Sequence, residues 1–506
     1  MQTETPWQDV EIPQYPALNV TVRCDVLVIG GGITGLTAAY LLKRSGKRVV
    51  VVERNHIGSG DTGCTTAHLT QVTDLRLKDL VSTFGRDAAK LIWDGSAGAV
   101  NTIEQIARSI NAECEFRRVP GYLHAPVDSG PADIAGLQED CALARELEIP
   151  ATFLDSVPLL NRPGVLFPNQ AKFQPLKYLR ALAGAVDGGG SHVFERTEAG
   201  KFLNNPRGIE TSRGRVECEY IVIATHVPLM GETGLIGASL LQTKLSSWSS
   251  YAIGAKIPSN SLAEASYWDT ADPYTYLRID QLEDCDYAIL GGEDHKTGQS
   301  EDQAARFPRL ESRLRQIIPK AKVDRHWSGQ VVETNDGLPY IGETADGQFV
   351  ATGFSGNGIT FGTLAATMAC DAVFHRCNPW RDLFNVNRTT VTSAWEYLKE
   401  NLDFPYFLVR DRLKPAAVKS VDEIEPGQGA ILRLEGREVA CSRDENGHLH
   451  AVSATCTHLG CLVRWNDAEK TWDCPCHGSR FHATGEVLAG PAESPLTPIN
   501  ATVGSK

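Results

Sequence analysis

Near its C-terminal end the chain reads Cys456-Thr457-His458-Leu459-Gly460-Cys461 and then Cys474-Pro475-Cys476-His477-Gly478-Ser479. Taken as ligands, these are a C-x-H half, fifteen intervening residues, and a C-x-x-H half. A 2Fe–2S cluster in which two imidazoles replace two thiolates on one iron needs such a set. Each loop supplies one sulfur and one nitrogen, with Cys456 and Cys474 for the inner iron and His458 and His477 for the outer one. The alternative is a structural zinc site. Zinc also takes Cys and His, but its common pattern pairs a C-x-x-C half with a half of closely spaced histidines. Mixed halves accompanied by a further cysteine pair fit zinc poorly.

A second chemistry lies near the start. Cys24 to Ile29 is an apolar run, followed by Gly30-Gly31-Gly32-Ile33-Thr34-Gly35, in which Gly30, Gly32 and Gly35 spell G-x-G-x-x-G. Leu36 to Lys43 continues as an amphipathic helix, and Val49 to Val52 is a second buried strand ending in Glu53. The glycine pattern alone is weak. A strand before it, a helix after it and an acid closing the next strand predict a dinucleotide site. The glycines let the backbone meet a pyrophosphate at the helix N-terminus, and Glu53 takes the ribose hydroxyls.

These two chemistries need separate units to position them. With 506 residues the chain is too long for one core, so two or three domains are expected. Hydrophobic content of 42% and charged content of 22% describe an ordinary globular protein. The net charge of −13 argues against a nucleic-acid partner. No apolar run reaches the length of a membrane span, and Met1 to Pro16 lacks the basic-then-apolar start of a signal peptide, so a cytoplasmic protein is expected. The 13 cysteines are mostly scattered singly and read as buried thiols.

Residues 1–22 read as an irregular lead-in. Residues about 80–160 carry helical periods, in Ala97 to Ile110 and Ile134 to Leu147. Gly208 to Thr225 reads as a hairpin ending in the buried strand Tyr220 to Thr225. Residues about 240–295 carry alternating runs, Ser246 to Ala255, Tyr274 to Ile279 and Tyr287 to Leu290. Asp302 to Ile318 is a helix with a stumble at Pro308. Pro379 to Pro415 reads as an ordered linker packed on the dinucleotide-binding unit. From Val418 the pattern is short strands with turns at Gly436 and Asn446-Gly447, an all-β module.

The cysteine–histidine set resembles a Rieske domain over roughly the last ninety residues. The resemblance implies that Cys461 and Cys476, at matching places in the two loops, form a disulfide, and that the Ser479 hydroxyl bonds a cluster sulfur, which raises the potential. Gly490-Pro491-Ala492 resembles the third, proline-bearing loop that shields the cluster. Phe481 stands where that family usually has tyrosine, so a cluster hydrogen bond is expected to be missing and the potential to lie below the top of the Rieske range.

Residues about 22–375 resemble the D-amino-acid oxidase superfamily, which includes glycine and sarcosine oxidases. The resemblance is carried by Trp327-Ser328-Gly329, by Asp336-Gly337-Leu338-Pro339-Tyr340-Ile341-Gly342 and by Gly353-Phe354-Ser355-Gly356-Asn357-Gly358. It implies FAD as the dinucleotide. Along the cofactor it implies Gly30, Gly32, Gly35, Glu53, Arg54, Thr62, Thr65, Thr66, Val193, Ala224, Thr225, Gly342, Gly356, Gly358 and Ile359. The expected architecture is an α/β Rossmann-like FAD-binding domain with an α+β substrate domain, over residues 23–378. A linker (379–416) and an all-β Rieske domain (417–506) follow.

The expected function is a flavin dehydrogenase or oxidase of a small amine, amino acid or related substrate, with electrons passing singly through the cluster to an external acceptor or donor protein. A redox sensor or carrier is the alternative, as is a reductase in which the cluster exchanges electrons with the flavin. No second glycine-rich unit offers a nicotinamide nucleotide site, and no two-His-one-carboxylate set offers a mononuclear iron. Catalytic candidates are His68, in the loop expected beside the flavin, and Tyr251 and Arg278 on the substrate sheet. Arg278, with Tyr274 and Tyr276, could hold a carboxylate. The competing readings are packing for the tyrosines, and cofactor binding, packing or a covalent flavin link for His68 and Cys64. His226, after the Ala224-Thr225 strand end, reads as catalytic or as a buried structural histidine.

Overall fold

The strands Val26–Ile29 and Val49–Val52 are apolar at every position and buried throughout, as inner parallel strands must be. They lie within a six-stranded sheet, in the order Tyr340–Ala345, Gln348–Thr352, Tyr220–Ile223, Val26–Ile29, Val49–Val52 and His192–Phe194. All neighbours run parallel except the edge strand Tyr340–Ala345. The helix Ile33–Arg44 leaves the first strand through the glycine turn and packs against the helix Gly358–Val373. Close packing explains Gly35, where a Cβ would stand 2.0 Å from the Gly30 carbonyl oxygen. The computed structural model describes residues 4–229, 241–388, 403–413, 418, 420–434 and 436–499.

A nine-stranded sheet forms the second layer. It contains the long strands Leu245–Ile257, Asp286–Lys296 and Lys322–Thr334, with Tyr276–Gln281 and Ala265–Asp269 beside them. The helical periods over 80–160 fall on helices, with a strand between them that the periods did not announce. Helices Leu77–Phe84, Arg86–Ser109 and Pro131–Glu146 are interrupted by the strand Arg117–His124, which with Gly164–Lys172 extends this sheet. Pro308 causes no stumble: it sits in the first turn of the helix Arg306–Ile317, where no intrahelical N–H is needed. Among the described residues the lead-in, from residue 4, has no helix or strand before Thr21–Arg23, yet Trp7 and Tyr15 are buried in the main core.

The C-terminal module is all-β, with a three-stranded sheet over 429–453 and a four-stranded one over 464–489. The linker divides between the two units. Residues 379–388 pack on the larger unit, with Phe384 fully buried and the Trp380 indole donating to the Leu91 carbonyl at 2.8 Å. The helix Asp403–Leu413 lies instead on the C-terminal module, where Asp411 takes both ends of the Arg464 guanidinium. Residues 389–402 and 414–417 of the linker lie outside the described residues. Among the described residues no helix is long and apolar enough to cross a membrane.

Candidate functional site: a dinucleotide cleft beside a cysteine–histidine tip

A cavity of about 740 Å³ opens from the glycine turn, within the range of a cofactor and ligand site. Its lining includes Gly30, Gly32, Glu53, Arg54, Thr62, Thr65, Thr66, Ala224, Thr225, Gly356, Gly358 and Ile359. Gly35, Val193 and Gly342 do not line it. Gly35 stands behind the turn, Val193 pairs with Val51 inside the sheet, and Gly342 pairs with Val350. The wall expected at Val193 is supplied further along by Thr197 to Gly200.

The Glu53 carboxylate accepts the Gly31 and Asn55 backbone N–H groups, each at 2.8 Å, which fixes it at the mouth of the turn. Thr62 caps the other side, its hydroxyl accepting the Ile33 N–H at 3.2 Å. The Trp327 indole donates to the Cys64 carbonyl at 2.9 Å and so ties the 58–66 loop to the second sheet. Burial pushes the Cys64 thiol up to about 12, which keeps it protonated.

Two catalytic candidates are corrected. Arg278 is absent from the cavity wall. Its guanidinium donates to the Thr66, Ala67 and Phe173 carbonyls, at 3.1, 2.9 and 3.1 Å, and pairs with Asp280. It pins the backbone at Thr66 and Ala67 to the sheet. Tyr251 is wholly buried in the second sheet's own core, against Phe307, with its hydroxyl 3.2 Å from His295. Strand alternation told which residues share a face but not which partner that face meets. His68 does line the cavity, 3.1 Å from the Thr66 hydroxyl, and burial lowers it to about 4, so it is neutral at physiological pH. His226 also lines it, 3.6 Å from Asp61.

At the tip, the two ligand loops close identically. Cys456 N–H bonds the Cys461 carbonyl at 2.8 Å and Gly460 N–H bonds the Cys456 carbonyl at 3.0 Å. Cys474 N–H bonds the Ser479 carbonyl at 2.8 Å and Gly478 N–H bonds the Cys474 carbonyl at 3.0 Å. Gly460 and Gly478 occupy the same left-handed corner, at φ 81° and 74°. This register aligns Cys461 with Ser479, and His458 with Cys476. The disulfide Cys461–Cys476 therefore joins unlike positions, which corrects the matching expected of them.

The Cys456 and Cys474 thiols meet, and the hydrogen bond from Cys474 brings Cys456 down to about 7, within reach of a thiolate. The His458 and His477 rings stand edge to face at 4.9 Å, and burial lowers both to about 4, leaving neutral ligand nitrogens. Ser479 is fully buried, and its hydroxyl reaches Cys456 and accepts the Ala492 N–H at 3.1 Å. The 490–492 loop thus closes over the ligand loops. This donor set fits a 2Fe–2S cluster with mixed ligation.

The tip is seated on the larger unit. The Gln330 amide donates to the Gly478 carbonyl at 2.7 Å, while the Gln330 backbone N–H bonds Asp61 in the cavity wall at 3.0 Å. His458 Nε2 lies 3.2 Å from the Gln242 amide oxygen, and the Gln242 amide nitrogen donates to the Pro228 carbonyl at 2.6 Å. Gln299 donates to the Pro475 carbonyl at 2.9 Å. Leu488 to Gly490, with Ala492, line the same cavity as Gly30. These bridging glutamines belong to no motif, and only Gln330 had a pointer, its place directly after Trp327-Ser328-Gly329.

Fold and site together define a flavin oxidoreductase with an iron–sulfur module. Residues 25–372 match the family described as FAD dependent oxidoreductase, and residues 414–500 match the Rieske [2Fe-2S] domain. The chain belongs to the FAD dependent oxidoreductase family, carries a Rieske domain at its C-terminal end, and has FAD and a 2Fe–2S cluster as its cofactors. It is 33% identical over 513 residues to YhfW of Bacillus subtilis, named as a Rieske 2Fe-2S iron-sulfur protein, across 98% of this chain and 97% of that one. It is 23% identical over 385 residues to gamma-glutamylputrescine oxidoreductase of Escherichia coli, across 71% of this chain and 85% of that one. The glycine oxidase of Geobacillus kaustophilus shares the fold, with a TM-score of 0.62 at 20% identity, over 73% of this chain and 99% of that one.

Proposed function

We propose that the protein is an FAD-dependent dehydrogenase or oxidase of a small amine, amino acid or related substrate, whose electrons leave singly through the Rieske module to an external one-electron acceptor protein. The observation that carries this reading is the seating of the cluster tip on the wall of the cofactor cavity through Gln330, with Gln242 tying His458 to the Pro228 carbonyl. When bound, FAD takes up two electrons as a hydride equivalent and the 2Fe–2S cluster carries one at a time. The chain's own residues bind and orient. Backbone N–H groups at the start of the helix Ile33–Arg44 would hold the pyrophosphate, and Glu53 would take the ribose hydroxyls. The N-terminus of the helix Gly358–Val373, at Gly358 and Ile359, offers the positive end of its dipole to the cavity. The 488–492 segment walls off part of the cavity from water. Relatives named for glycine and gamma-glutamylputrescine support a nitrogen-bearing substrate.

The test is absorbance of the bound flavin under argon against a panel of amines and amino acids. At least one is expected to bleach it. Bleaching by NADH or NADPH alone would replace this reading with a reductase, and no bleaching by any of them would favour a carrier.

A further inference from the structure

We infer that the part of the cavity walled by the second sheet holds a substrate ammonium group and turns away a substrate carboxylate; this rests on the flavin-enzyme reading above and narrows its substrate class. Ser250, Tyr276 and Asp294 come from three strands of that sheet, and Asp74 and Tyr274 from the segments beside it. All five line the cavity. The Ser250 and Tyr276 hydroxyls are 2.9 Å apart, the Tyr274 hydroxyl donates to Asp74 at 3.1 Å, and the two tyrosine rings lie 5.7 Å apart.

Asp294 carries the argument. Its Oδ1 is buried and has no hydrogen-bond partner among the described residues. A buried carboxylate oxygen left without a donor is costly, so an occupant that brings N–H donors and positive charge completes the site. Burial raises Asp294 to about 7, with the Asp74 charge adding to the effect and Ser250 opposing it. Asp74 is itself raised by burial, although the Tyr274 hydroxyl and the Gly356 N–H both donate to it. Two carboxyl groups sharing one pocket with two phenols form a place for a cation.

The cations on this part of the cavity wall are spent. Arg76 lines the cavity but pairs with Asp140 at 2.6 Å. Arg306 acts on Asp294 from the adjoining helix but does not line the cavity; its terminal nitrogens go to the Glu293 carbonyl, Ser300 and Asp302, and its buried Nε has no partner among the described residues. His68, in edge contact with Tyr276, is neutral. Asp269, a further acid on the wall, is already satisfied by Arg313 at 2.9 Å and by Thr275. Arg278, the residue placed on this sheet to receive a carboxylate, faces the backbone of another loop. A carboxylate entering here finds no free guanidinium on this stretch of the cavity wall and meets two acids.

The experiment uses the full-length, FAD-loaded protein under argon. It reads the flavin absorbance shift with n-butylamine, 1-butanol, butanoate and glycine. Butylamine is expected to bind at least about tenfold tighter than the other three, as one charge-assisted contact requires. Asp294→Asn should abolish that preference and Asp294→Glu should largely keep it, both at unchanged FAD content. Butanoate or glycine binding as tightly as butylamine to the unaltered protein would overturn the inference. So would a full preference in Asp294→Asn, or no shift with any probe. Should Asp294→Asn lose FAD, the ranking of the four probes on the unaltered protein decides. Charge-selective binding with no flavin bleaching by any amine or amino acid of the panel would leave the ammonium site standing and sink the amine-oxidising reading. Bleaching without charge preference would do the reverse.

Discussion

The cysteine–histidine tip takes its four candidate ligands from residues 456–477, on two loops closed by the same pair of backbone hydrogen bonds. The dinucleotide cleft takes its walls from residues as far apart as Gly30 and Ala492. The first site is local in sequence, so its ligand geometry follows from loop length and one left-handed glycine per loop. The second is assembled by two sheets and by the seating of one module on the other. A site of the first kind should fail completely when one ligand goes and leave its neighbour intact. A site of the second kind should weaken by degrees.

The largest expected effect is at the tip. His458→Ala or His477→Ala should abolish the Rieske-type EPR signal while FAD stays stoichiometric by absorbance. Loss of FAD along with the cluster would mean that the two sites fold as one. Next is Gly32→Val, which puts a branched side chain beside Thr62, whose hydroxyl would lie 3.1 Å from a Cβ. FAD affinity should fall by a hundredfold or so, equivalent to about 3 kcal/mol of overpacking. The EPR signal should persist, and stoichiometric FAD in this variant would place the pyrophosphate elsewhere.

The seating is tested at Gly298, where φ is 75° and a Cβ would stand 2.7 Å from the Pro475 nitrogen. Gly298→Val should weaken docking by about 1–3 kcal/mol. Amide exchange in residues 475–478 should quicken while the cluster stays bound, and unchanged exchange would contradict a seated tip. A smaller effect comes from pH. Asp294 is raised to about 7 by burial, so it is charged above that pH and neutral below it. The KM for a cationic amine should therefore rise about tenfold from pH 8 to pH 6. A flat profile, or one unchanged in Asp294→Asn, would remove Asp294 from substrate binding. Smallest is Phe481→Tyr. Phe481 is fully buried between strands of the cluster module. One added hydrogen bond of about 1 kcal/mol should raise the cluster potential by about 40 mV. No rise would mean that the hydroxyl does not reach the cluster.

The same contrast governs what could be read from residues alone. Ligand spacing, the G-x-G-x-x-G turn and Glu53 were legible because each works through neighbours in the chain. The Trp327-Ser328-Gly329 element was visible as a motif, and its role became clear only when the indole met the Cys64 carbonyl. Arg278 stands at a strand position facing the correct sheet side, yet a buried carbonyl cluster claims it before any substrate can. The strand Arg117–His124 was hidden between strong helical periods, because its pairing with Ala265–Asp269 and Gly164–Lys172 is non-local. Asp74 and Asp294 are single acids in no pattern, and only the cavity brings them together. Trp7 and Tyr15 lie in an aperiodic lead-in, whose burial follows from the loops it packs beneath.

In the proposed function electrons enter at the flavin and leave through the cluster. Anaerobic stopped-flow of the full-length holoprotein with a reducing amine, following the flavin and cluster absorbance bands separately, tests this route. Flavin bleaching should come first, cluster bleaching second, and a Cys474→Ser variant should still bleach its flavin while losing turnover with a one-electron acceptor protein. A cluster that stays oxidised throughout, or a Cys474→Ser variant that reduces the acceptor as fast as the unaltered protein, would contradict it.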